Sequence, residues 1–317
     1  MMKPVLTTLL LLSAVFLPKA RSQQAYAFET RDIANFWEAF DQLRYAESTA
    51  DSVQIIQQTY TDRASRCFRK FLRMRGFTAE EYVAKISAYP KFWHSVRPLT
   101  EGISHQKPRI DSVFRTFRQS LPGFRQPDLC FAIGCLRTGG TTTSSLILIG
   151  AEIAASDSTV DPSELTPWLK SIVGHTGGIV AMVAHECIHI QQARHKLGSL
   201  GKQRLLRQCI KEGAADFLCV LLLGLNINAP IHQYGLAHEA ELIRQFQTDL
   251  QTTPNDYSNW LYNGGRATEV PADLGYFIGY RIAEAYYNKM ANKKVAIKHL
   301  LNPGKYIKIY RKSGYLQ

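Results

Sequence analysis

Over the first third of the chain, apolar positions recur at helical spacing. Ile33, Phe36, Trp37, Phe40 and Leu43 share one face behind Thr30, which can cap a helix. A second helix is expected over 51–74, closed by Gly76. Its later half sets Arg63, Arg66, Arg69, Lys70, Arg73 and Arg75 against Phe68, Phe71 and Leu72. That pattern predicts an amphipathic helix with a solvated basic face. After Pro127 the period shortens: 129–136 and 146–153 are apolar runs separated by Arg137-Thr138-Gly139-Gly140-Thr141, and read as two strands joined by a loop. From Gly178 the helical pattern returns and holds to about Met290. A basic tail follows (Lys293, Lys294, Lys298, Lys305, Lys308, Arg311, Lys312), expected as solvated surface or an extra strand. No internal repeat or low-complexity segment interrupts this order.

The extreme N-terminus belongs to a different pattern. Lys3 precedes an apolar run over 5–17, broken by Pro18, and Ala20-Arg21-Ser22 offers small residues at a cleavage site, which predicts a signal peptide over 1–22. The run is shorter than the ~20 residues that span a bilayer, and no cysteine follows it to carry a lipid. Export to the periplasm or the exterior is therefore expected. The formal charge of +12 becomes +9 once Lys3, Lys19 and Arg21 are removed. Such a balance suits nucleic acid, acidic polymers or anionic surfaces; export sets nucleic acid aside and leaves contact with an acidic cell-envelope surface. Six cysteines in a chain of this length make no disulfide scaffold, although an oxidising compartment permits one or two bridges. No close C-x-x-C pair suggests a cysteine zinc site.

The chemistry gathers at His185-Glu186-Cys187-Ile188-His189. Histidines four apart on a helix present both imidazoles to one ion, with Glu186 beside them as a general base toward water. Thr176 can start that helix and Gly198 end it. Ile179, Val180, Met182 and Val183 make it apolar nearly all round and hence buried, where unpaired polar groups cost several kcal/mol. Cys187 points to another face and reads as a small apolar side chain.

A catalytic zinc ion takes three protein ligands and keeps one position open. His195 has the spacing of a third histidine, but Gln192 stands where a glycine would be needed to turn the chain back, and His195 also fits a charge at a helix C-terminus. Glu212 is the stronger candidate. Lys211-Glu212-Gly213-Ala214-Ala215-Asp216 places two carboxylates on one helix face, with small residues between them that allow close approach. The apolar run over 217–223 behind them is too short to span a membrane and reads as core. A metal ligand at Glu212 and a hydrogen-bonded partner at Asp216 relieve the cost of acids in that setting. Tyr276 and Tyr280, on one face of a helix expected from near Pro271, are candidate donors to a developing oxyanion, with core packing as the competing role. Nothing in the spacing of His232, His238 or Tyr257 promotes them. The run over 146–149 could serve as an edge strand that pairs with an extended substrate.

H-E-x-x-H followed by E-x-x-x-D resembles the gluzincin pattern of thermolysin-like peptidases. That resemblance implies Glu212 as third zinc ligand and Asp216 as the residue orienting a ligand histidine. More specifically, the chain resembles a bacterial family of predicted zinc-dependent proteases related to gliding-motility lipoproteins. The shared features are E-G-A-A-D from Glu212, G-Y-F-I-G-Y from Gly275, and Tyr89-Pro90-Lys91-Phe92-Trp93, over roughly 30–290. The lipobox of the lipoprotein members is missing here.

The expected fold is α+β and mostly helical. It has a helical N-terminal region (23–126), a zincin-like region with a small sheet (127–290) and the basic tail (291–317). The expected function is an exported peptidase acting on peptides or proteins. His185, His189 and Glu212 would hold one zinc ion, Asp216 would support them, and Glu186, Tyr276 and Tyr280 would be the catalytic groups. Two rivals stand beside it: a non-catalytic cell-envelope structural or interaction protein, and an amidase acting on cell-wall peptide.

Overall fold

The computed structural model describes residues 25–174, 178–192, 202–264 and 270–316. The expected leader, the Thr176 cap, His195 and Gly198 lie outside them. The fold is α+β and mostly helical, with one small mixed sheet. Strand β1 (Phe28–Glu29) leads into α1 (Arg31–Gln42), α2 (Thr49–Ile56), α3 (Arg66–Arg75), α4 (Ala79–Ala88), α5 (Pro90–Glu101) and α6 (Lys107–Ser120). Strands β2 (Asp128–Ala132), β3 (Gly140–Thr142) and β4 (Leu146–Gly150) follow, then α7 (Ala151–Ala154), α8 (Pro167–Ile172), α9 (Gly178–Gln192) and α10 (Arg204–Leu223). The chain ends in α11 (Ala229–Ala237), α12 (Glu239–Thr252), α13 (Gly275–Lys289), α14 (Lys293–Leu300) and α15 (Tyr306–Ser313).

The expected single helix over 51–74 is two. A π-turn over Gln57–Thr61 ends α2, and α3 restarts behind Ser65, whose hydroxyl accepts from the Phe68 N–H. Buried Asp32 fixes this restart by accepting from both the Ser65 N–H (2.8 Å) and its hydroxyl (2.5 Å). A disulfide between Cys67 and Cys130 then ties α3 to β2.

Sheet order is β1-β2-β4-β3, with β1, β2 and β4 parallel and β3 antiparallel to β4. The two apolar runs are therefore parallel neighbours, and the segment between them contributes a third strand. Residues 146–149 lie in the interior of the sheet, so β4 is not an edge; β1 and β3 are. The reason is burial: β2 and β4 are apolar on both faces, and such strands are stable only when flanked and covered. Helices α1, α3, α7 and α9 pack on these strands. The turn from β2 to β3 puts Cys135 and Leu136 at positive φ. It is held by buried Glu152, which accepts from the Gly134 and Leu136 N–H groups, and by Tyr60 and Tyr82, which donate to the Ile133 carbonyl.

The basic tail is helical and adds no strand. Helices α14 and α15 bury Ile297, Leu300, Tyr306 and Ile309 against α10 and α13, leaving their lysines outward. N-terminal helices, sheet and C-terminal helices share one hydrophobic core.

At its centre α10 crosses α13 in backbone contact. A Cβ at Gly279 would lie 1.7 Å from the Cys209 carbonyl oxygen, and one at Gly213 would lie 2.0 Å from the Tyr280 nitrogen. Alanine would gain about 1 kcal/mol of helix propensity at either position but must push two packed backbones apart. Gly279→Ala is expected to cost about 1–3 kcal/mol net, measured by urea unfolding. A variant as stable as the parent would contradict this crossing.

Candidate metal centre

Helix α9 is buried from Ile179 to Gln192, and its apolar surround explains why it forms the middle of the molecule. One turn of it carries His185 and His189; α10 crosses beside it and supplies Glu212. The His185 and His189 Nε2 atoms are 3.0 Å apart. Glu212 Oε2 lies 3.5 Å from the first and 2.8 Å from the second. Ligands about 2.0–2.1 Å from a tetrahedral zinc ion are about 3.3 Å from one another. These three atoms have nearly that triangle, and together they form a group able to hold a metal ion.

The orientation of both imidazoles supports the same reading. His185 Nδ1 lies 2.7 Å from Asp216 Oδ1, one turn beyond Glu212 on α10. His189 Nδ1 lies 2.7 Å from Gln192 Oε1. Gln192 donates its Nε2 to the Lys211 carbonyl at 2.9 Å, which leaves Oε1 as the acceptor and makes His189 Nδ1 the protonated nitrogen. Both Nε2 atoms are thereby left to face the centre, where a bound cation would take the place of any proton there. Gln192, which the sequence showed only as a departure from a glycine, is an orienting residue.

The surrounding charges are balanced for a cation. Burial works against an imidazolium at His185, yet contacts with Asp216 and Glu212 outweigh it and push the group up to about 10. Burial would raise the Glu212 carboxyl, but His189, Lys211 and His185 hold it well below the usual carboxylate range. The other Glu212 oxygen accepts from Lys211 Nζ and from Tyr262 Oη, both at 2.9 Å. Asp216 Oδ2 accepts from Asn228 at 2.7 Å and faces His232 Nε2 at 3.5 Å.

Glu186 lies against β3. A Cβ on Gly140 would come within 2.7 Å of Glu186 Oε1, and one on Gly139 within 2.4 Å of the Met182 methyl. Paired glycines therefore let the edge strand lie directly on α9. Arg75, the last residue of α3, reaches the same corner. Its Nη2 donates to Thr138 Oγ1 at 3.2 Å and to the Gly140 carbonyl at 3.4 Å. Burial lowers its pKa and the Glu186 carboxylate works the other way, which puts that carboxylate within electrostatic reach. Arg75 is thus not part of the solvated basic face.

The remaining candidates separate. The Tyr276 ring sits 6.0 Å from that of His185. Tyr280 stacks edge-on against Phe217 and against His232, which in turn faces Asp216. Tyr262, which no pattern singled out, brings its hydroxyl to Glu212 from a backbone at φ 57°. His232 is buried behind Asp216, while His238 is exposed and stacks on Tyr234. Cys187 is buried away from the ligands.

A buried group of two histidines and one carboxylate, with Glu186 next to the first histidine in sequence, is compatible with a zinc ion. Residues 168–307 match the sequence profile of a family described as Predicted Zn-dependent protease (DUF2268). That segment contains His185, Glu186, His189, Glu212, Asp216 and Tyr262, and excludes the sheet and Arg75. No curated protein and no solved structure matches the chain.

Proposed function

We propose that this chain is an exported zinc-dependent peptidase of gluzincin type. The observation that carries the reading is the near-tetrahedral triangle of His185, His189 and Glu212, with both histidines oriented from behind by Asp216 and Gln192. The family likeness over 168–307 supports it. Zinc would supply a Lewis acid that polarises a carbonyl and acidifies water to a pKa of about 7. Glu186 takes the proton of the attacking water and returns it to the departing amine, so water adds across the bond: C–O forms, C–N breaks. Tyr262, whose hydroxyl reaches Glu212, and Tyr276, whose ring lies beside His185, would donate to the oxyanion, with Tyr280 behind His232 and Asp216. The apolar leader, together with the Cys67–Cys130 disulfide, supports an oxidising, non-cytoplasmic location. The lysines of α14 and α15 would meet an acidic envelope surface.

The test is metal removal. Purified mature protein is expected to carry one zinc per chain and to cleave members of a mixed peptide library. Chelation should abolish cleavage and added zinc restore it. Zinc binding without any cleavage across a broad library would favour the non-catalytic envelope protein instead.

A further inference from the structure

The free edge of β3 has an unusual occupant. Gly139 turns its carbonyl to β4, where it accepts from Gly150 at 3.1 Å. In an antiparallel pair alternate residues face opposite sides, so the backbone groups of Gly140 and Thr142 face the open edge. An extended peptide added there would run beside Glu186, but at Gly140 it meets the Arg75 guanidinium and the Thr138 hydroxyl, which already hold that carbonyl. Among the described residues the edge is open at Thr142 and blocked at Gly140.

The blocking group is a cation. Arg137 on the same loop is paired with both carboxylate oxygens of Glu81, and Lys211 with Glu212. Arg75 has only neutral oxygens as hydrogen-bond partners among the described residues, and its buried Nε has none. The fold holds it in place through the Cys67–Cys130 disulfide, the Ser65–Asp32 contacts and the left-handed Gly76 that ends α3 directly after it. A guanidinium fork matches a carboxylate with two parallel hydrogen bonds, which a backbone carbonyl cannot use.

We infer that Arg75 receives the C-terminal carboxylate of the substrate, so that the enzyme acts on peptides with a free C-terminus and cleaves close to that end. This rests on the peptidase reading. A strand laid on β3 stops where its carboxylate meets Arg75, with its last peptide bonds beside Glu186.

The test compares one peptide as free acid and as C-terminal amide. A hydrogen-bonded charge of this kind corresponds to about 10–100-fold, so zinc-loaded wild type should favour the acid in kcat/KM by that factor. Arg75→Gln should bring the ratio close to one, chiefly through KM for the acid. Arg75→Lys, a point charge without the fork, should fall between. Melting temperatures identify any variant that fails to fold; the wild-type ratio and the lysine variant then decide. Equal cleavage of acid and amide by wild type, or an unchanged ratio in Arg75→Gln, overturns the inference. Calorimetric titration of the zinc-loaded Glu186→Gln protein with both peptides separates the two readings. Acid-selective binding that depends on Arg75, with no hydrolysis by wild type, would keep the carboxylate site and discard the peptidase. Hydrolysis without discrimination would do the reverse.

Discussion

Glu212→Ala is expected to strip the centre of its metal. Loss of an outer hydrogen-bond partner costs about 10–100-fold in metal affinity; removal of one of three ligands should exceed that range. The structure adds a second reason. Glu212 is 2 % exposed and its two oxygens hold separate partners, the histidine pair on one side and Lys211 with Tyr262 on the other. Without it, an ammonium faces two imidazoles in a buried space, and cation binding is opposed. Glu212→Gln keeps size and part of the hydrogen bonding, so it separates lost ligation from lost folding. Asp216→Ala should give the smaller, outer-partner loss, because it frees the His185 ring without removing a ligand. His195→Ala should leave zinc bound. Zinc content by mass spectrometry of the metal, with competition by a chelator, measures all four; retention in Glu212→Ala together with loss in His195→Ala would reverse the ligand assignment.

Glu186→Gln should lower kcat for peptide hydrolysis by at least about 10²–10⁴-fold, the contribution of general acid–base catalysis. Zinc content and melting temperature should hardly change. The side chain stands outside the ligand triangle, against β3 at Gly140, and the substitution keeps its shape. The amide cannot accept a proton from water or pass one to an amine. Cleavage at the parent rate would assign the base to another group and end the mechanism given above.

Part of this site needs only local periodicity to be seen. Positions four apart on a helix share a face whatever the rest of the chain does, so His185 and His189 converge, Glu186 lies beside them and Cys187 turns away. Glu212 and Asp216 were legible for an energetic reason: two acids inside an apolar, glycine–alanine helix need a partner or an ion. The tail's solvated lysines are legible in its composition, but its helices are not, because the burial of Ile297, Leu300, Tyr306 and Ile309 depends on helices α10 and α13 lying beneath them.

By itself, then, the sequence determined the succession of a helical region, a small sheet and a second helical region, and the face of α9 that carries both histidines, because these follow from spacing along one element. Tertiary structure alone decided whether β3 or β4 is an edge, which nitrogen of His189 faces the centre, and which outside residues reach the centre. The edge depends on β3 folding back along β4. The tautomer depends on Gln192 reaching Lys211 on the next helix. Arg75 approaches from α3, far earlier in the chain, and Tyr262 from a loop beyond α12; no periodicity links either to the histidines. Interactions within a helix are written in the local order of residues. Those between elements exist only once a shared core has brought distant segments together.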